Sequence, residues 1–155
     1  MQNSIIRKGS AWQAADIEQF LCTSRIPVRL AAVSGNGAPL VCSLWYVYAD
    51  DAIWCATQRG SHVAGLLRRN PRCGFEIAAD TLPYRGVRGQ GKATLSADEG
   101  PDTLVQLIDR YLEDRDSDLA RWLIAKQADE VALRIEPAWI TAWDYSSRMP
   151  TASAA

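Results

Sequence analysis

The chain has 155 residues, 48% of them hydrophobic, which is one domain's length with enough apolar content for a real core. A formal net charge of -1 gives no global pull toward nucleic acid or an anionic membrane, and no stretch approaches the roughly 20 apolar residues of a spanning helix. The start, MQNSIIRKGS, lacks the apolar run of a secretion signal, and Cys22, Cys42, Cys55 and Cys73 contain no Cys-x-x-Cys pair. Reduced, buried thiols and a cytoplasmic protein are therefore expected.

In chain order, the first element is a helix near 14–23, where Ile17, Phe20 and Leu21 share a face and Asp16 lies in the first turn. IPVRLAAVS reads as a strand after Pro27, and GNG at 35–37 as a hairpin turn. PLVCSLWYVYA (39–49) follows as one strand apolar on both faces, and Asp50-Asp51 turns it into AIWCATQ (52–58). Three strands joined by tight turns predict an antiparallel meander.

A short helix fits 61–69, with Ser61 as N-cap, Val63, Leu66 and Leu67 on its buried face, and Pro71 ending it. RCGFEIAA (72–79) reads as the fourth strand. VRGQGKATL (87–95) alternates cleanly, with Gly89 and Gly91 on the inner face, as suits a sharply coiled strand or a close backbone approach. Helices follow at 102–113 (Leu104, Leu107, Ile108, Tyr111, Leu112) and 118–126 (Leu119, Trp122, Leu123). EVALRIEP and WITAWDY supply two closing strands, and SRMPTASAA has the composition of a flexible tail over 146–155. The order predicts an α+β domain over 1–145 on an antiparallel barrel, not an alternating parallel sheet.

Ser61-His62 is not a nucleophile pair, because neighbours at a helix start point about 100° apart and a third orienting group is lacking. A single histidine excludes a histidine metal cluster. Between Arg59 and Lys92 stand seven basic residues against two acids, yet no aromatic platforms are interleaved for nucleic acid. Arg68 and Arg69 read as the solvated face of their helix. A small anion fits better, seated on the free N–H groups at the helix start beside Thr57, Ser61 and Arg59. Trp45, Tyr46, Tyr48, Trp54, Trp139 and Trp143 make an aromatic-rich sheet that can wall a flat ring.

LWYVYADDAIWCAT, SHVAGLLRRNPR, YRGVRGQGKATL and VALRIEPAWITAWDY, in this order, resemble the pyridoxamine 5'-phosphate oxidase-like split β-barrel family over about residues 25 to 145. The resemblance implies six to seven antiparallel strands with peripheral helices, and a homodimer binding FMN or deazaflavin coenzyme F-420 at the subunit interface. Haem is a further ligand of some members. Carried over residue by residue, Cys42, Ser43, Leu44 and Trp45 line the ring edge, and Thr57 and Ser61 bond the phosphate. Gln58, Arg59, Arg85 and Val87 complete the implied set. His62 stands where many members have arginine and Val63 where they have a phosphate-binding lysine, a contact worth around 1.5–3 kcal/mol. Arg59 is the candidate to offset that loss.

Val41 and Gly86 replace an arginine and a glutamine of true pyridoxamine phosphate oxidases, so that activity is not expected. The implied function is an FMN-dependent oxidoreductase of a small molecule, close to the flavin or deazaflavin reductase branch. The alternatives are an F-420-dependent reductase of the same fold, favoured by Arg59, Arg85 and Arg88, and a non-catalytic binding protein with a degenerate phosphate site. Tyr84, Arg85 and His62 are the candidate acid–base groups.

Overall fold

The computed structural model describes residues 1–149. Of the tail expected over 146–155, positions 150–155 lie outside the described residues. The amides of Arg148 and Met149 still donate to the Tyr145 carbonyl, at 2.8 and 2.9 Å.

The elements are α1 (Ala14–Thr23), β1 (Val28–Val33), β2 (Pro39–Leu44), β3 (Val47–Ala49), β4 (Ala52–Gln58), α2 (His62–Arg69), β5 (Arg72–Ala78), β6 (Arg85–Ser96), α3 (Gly100–Tyr111), α4 (Asp118–Ile124) and β7 (Glu130–Asp144). Every strand pairs antiparallel in one sheet of order β2-β1-β5-β6-β7-β4-β3. The α+β reading holds, with seven strands.

Two hairpins arise as their turn residues dictate. Gly37 (φ +85°) closes β1–β2, and Asp50 and Asp51 (φ +50° and +57°) form the two-residue β3–β4 turn. The stretch 39–49 is not one strand, however, and the meander is corrected. It breaks at Trp45-Tyr46, where Tyr46 turns fully into the core and its hydroxyl donates to the Leu21 carbonyl at 3.0 Å. β2 and β3 then lie at opposite ends of the sheet order, although their connection can span only about 10 Å. The sheet must curl until its edges nearly meet, which is what makes it a split barrel.

The two closing strands are likewise one. β7 runs through Pro137 by a bulge: Gly91 pairs with Pro137 and Gln90 with Trp139, leaving Ala138 as the extra residue. The strands approach so closely here that a Cβ on Gly91 would lie 2.2 Å from the Glu136 carbonyl oxygen.

Alternating residues build two apolar clusters on the two faces of the sheet. Inside the barrel are Leu30, Tyr46, Ile53, Cys55, Ile77, Val87, Leu133, Ile135 and Ile140, with Val63, Leu66 and Leu67 of α2. On the other face, Leu104, Ile108 and Ala120 of α3 and α4 pack with Ala56, Leu112, Leu123 and Ile124. The expected α4 stripe is corrected: Ala120 is buried, whereas Leu119 and Trp122 are exposed. All four cysteines are free; Cys55 and Cys73 are buried, Cys42 is half-buried and Cys22 exposed.

Arg110 ties the helical layer to the barrel rim. Its guanidinium donates to the carbonyls of Leu21, Cys22 and Ser24 at 2.9, 2.7 and 2.5 Å, capping the end of α1.

Candidate functional site

The ends of β2 and β4 open beside α3 and α4 into a cleft of about 410 Å³. Its walls are Ser43, Leu44 and Trp45, then Ala56, Thr57 and Gln58, the helical leucines Leu104, Leu107, Leu119 and Leu123, and Glu130 at the start of β7. The Trp45 ring stacks on Tyr111, with centroids 5.1 Å apart and planes 6° from parallel. The Tyr111 hydroxyl in turn accepts the Tyr46 N–H at 3.3 Å. Burial raises the Tyr111 hydroxyl's pKa above its ordinary value. Trp45 is thus a fixed aromatic wall.

At the polar corner, the Thr57 hydroxyl donates to Ser61 Oγ at 3.1 Å, and Ser61 Oγ accepts the Ala64 N–H at 3.3 Å. Among the described residues no acceptor meets the first-turn amides of His62 and Val63. These amides and the positive end of the α2 dipole face whatever lies beyond the two hydroxyls.

Five of the twelve residues expected in a cofactor site therefore meet in one cleft: Ser43, Leu44, Trp45, Thr57 and Gln58. Ser61 joins them through Thr57, and Cys42 lies half-buried next to Ser43, its thiol pKa raised by burial. His62 is exposed on the first turn of α2. Arg59 is exposed and donates to the Ala128 carbonyl at 3.4 Å. Three residues are not brought in. Val63 and Val87 are 7% and 0% exposed inside the barrel, so only the Val63 amide, not its side chain, remains on offer. Arg85 lines a separate hollow with Trp12, Asp16 and Phe20. Nor do Arg59, Arg85 and Arg88 converge: Arg88 pairs across the sheet with Glu76 and Thr141.

Reading the sequence missed Glu130. It is 7% exposed, and burial, reinforced by neighbouring Asp129, pushes its carboxyl above the usual carboxylate range. No hydrogen bond or ion pair reaches that carboxyl among the described residues. The only signal was an acid opening the apolar run EVALRIEP, where alternation sets it on the Ala132 face rather than the Val131 face. The helical leucines were legible as helix faces but not as cleft walls.

A second hollow, about 580 Å³, lies on the outer face of β1, β5, β6 and β7. One cross-strand row there runs Val41, Ala31, Gly74, Gln90, Trp139. Val41, at the end of that row, is 63% exposed, and Arg72 and Lys92 line the hollow. Among the described residues no helix is long and apolar enough to cross a membrane.

The sequence profile of the family described as Pyridoxamine 5'-phosphate oxidase matches residues 15–144. None of the curated proteins matches. Among solved structures, a conserved hypothetical protein from Mycobacterium tuberculosis is 27% identical, with 96% of each chain covered and a TM-score of 0.77. An F420 reductase is 19% identical, with 87% of this chain and 98% of that one covered and a TM-score of 0.65. A FAD-binding protein from Mesorhizobium loti is also 19% identical, with 84% and 94% covered and a TM-score of 0.62.

Proposed function

Because the chain belongs to the pyridoxamine 5'-phosphate oxidase family, we propose that it is an oxidoreductase of a small molecule, working with a flavin-type cofactor at a homodimer interface. FMN is the first reading. The observation that carries it is the meeting of Ser43, Leu44, Trp45, Thr57 and Gln58, from strands apart in the sheet order, in one cleft beside the start of α2.

The residues present fit a flat ring with a phosphate tail. Thr57 and Ser61 hydroxyls and the His62 and Val63 amides would hold the phosphate, the dipole of α2 supplying charge that a lysine gives elsewhere. Trp45, fixed by Tyr111, would wall the ring, while α3 and α4 keep water from one side. When bound, a flavin or deazaflavin supplies hydride or electron transfer at its ring. The uncharged row from Val41 to Trp139, on the outer sheet face, suits a second copy of the chain.

Salvage of the vitamin itself is not proposed. A Cβ on Gly86 would meet the Ile77 carbonyl oxygen at 2.5 Å and Ala78 Cα at 2.7 Å, so no glutamine can stand there without moving the sheet. Deazaflavin F-420 is the second reading, favoured by the fold shared with the F420 reductase. The absorbance of freshly purified protein separates the readings, with a band expected near about 450 nm for flavin or about 420 nm for deazaflavin. Colourless protein that binds neither on titration would leave only the non-catalytic binding reading. Sedimentation tests the dimer: a monomer at micromolar concentration would remove it.

A further inference from the structure

Glu130 is the one charged side chain among the residues lining the cleft. We propose that Glu130 is a ligand-recognition residue, and that the small molecule taken beside it carries a protonated amine on an apolar or aromatic body. As a statement about substrate this rests on the cofactor reading above; as a statement about binding it stands alone.

A carboxyl on the wall of an apolar cleft keeps only part of its hydration, so a cationic partner is favoured there. Glu130 as a residue is 7% exposed, its carboxyl oxygens still meet the water of the cleft, and among the described residues they have no protein partner. Gln58, its cross-strand neighbour, makes no bond to it, and Arg59 directs its guanidinium to the Ala128 carbonyl instead. The backbone cannot retreat: α3 packs on it so tightly that a Cβ on Gly100 would lie 2.2 Å from the Glu130 carbonyl oxygen. Burial already raises the carboxyl's affinity for a proton, and an ammonium group supplies the same positive partner.

The rest of the wall sets the body of the ligand. Leu104, Leu107, Leu119 and Leu123 bury apolar surface beside Glu130. The cleft is thereby bipolar. The start of α2 attracts an anion at one corner, while Glu130 repels anions and attracts a cation on the β7 side.

Three probes sharing one apolar body test this on the full chain: 2-phenylethylamine, 2-phenylethanol and phenylacetate, titrated by calorimetry. The amine is expected to bind about tenfold tighter than the alcohol, with phenylacetate weakest. Glu130→Gln should remove the amine's advantage while retaining alcohol binding. Equal affinities in the wild-type protein, or an amine preference that survives Glu130→Gln, would overturn the proposal. The wild-type ranking decides the matter even if the variant fails to fold. FMN titration of the same wild-type sample separates the two readings. Amine selectivity without FMN binding keeps Glu130 and removes the cofactor, and FMN binding without amine selectivity does the reverse.

Discussion

The barrel interior and the helical flank share the same strands but are finished differently. On β4, Cys55 faces the closed interior while Ala56 faces the flank. The interior cluster is complete: it holds no charged side chain, and its one buried hydroxyl, on Tyr46, is bonded to Leu21. The flank is half-built. Leu119 and Trp122 stay 47% and 52% exposed, the leucines leave a cleft, and Glu130 lacks a partner among the described residues. One face of the sheet is closed, and the other is left open.

That contrast can be broken by substitution. Leu133→Ala, deep in the interior, should cost about 3 kcal/mol in urea unfolding, because the packed barrel cannot collapse around the void. Arg110→Ala, at the junction of the two regions, should cost about 2 kcal/mol, since the carbonyls of Leu21, Cys22 and Ser24 at the end of α1 lose a charged donor. Arg110→Lys should not rescue it, because an ammonium cannot reproduce the planar fork.

Glu130 gives a smaller effect with a defined sign. Its folded pKa is raised above the ordinary 4.5, so the folded state holds the proton more tightly than the unfolded chain. Its contribution to stability is therefore lost as pH rises from about 4.5 through the folded pKa. Glu130→Gln should raise the melting temperature at pH 7 and leave it unchanged below about pH 4, a difference read by calorimetry across pH. The opposite sign would mean that the carboxylate is paired. The smallest effect belongs to Leu119→Ala, which should change stability by under about 1 kcal/mol because the side chain is half in water. A loss as large as that of Leu133→Ala would erase the distinction between the two regions.

Much of the interior was legible in the sequence. Period-two alternation marked β5 and β6, Ser61 marked the start of α2, and the inner-face glycines marked the close approach of β6 to β7. The split between β2 and β3 was hidden, because 39–49 is apolar on both faces and nothing local distinguishes a strand from two strands meeting at a buried tyrosine. The bulge at Ala138 was hidden by Pro137, which reads as a strand end. The flank was least legible. Leu119 and Trp122 carry helical spacing, but spacing does not say whether a second layer covers them. Thr57 and Ser61 were legible as an anion seat at the start of α2 and Trp45 as an aromatic wall, with the family likeness adding their roles, whereas Glu130 carries no motif and emerges only from its place in the cleft.

The most direct test is to follow backbone amide chemical shifts while FMN, and separately F-420, is added to the protein. Shifts should concentrate at Ser43, Leu44, Trp45, Thr57, Gln58 and the His62 and Val63 amides, with interior positions such as Leu133 and Ile135 unmoved. Shifts confined to the outer row of Ala31, Gly74 and Gln90, or no saturable shifts with either compound, would contradict a cofactor site on the helical flank.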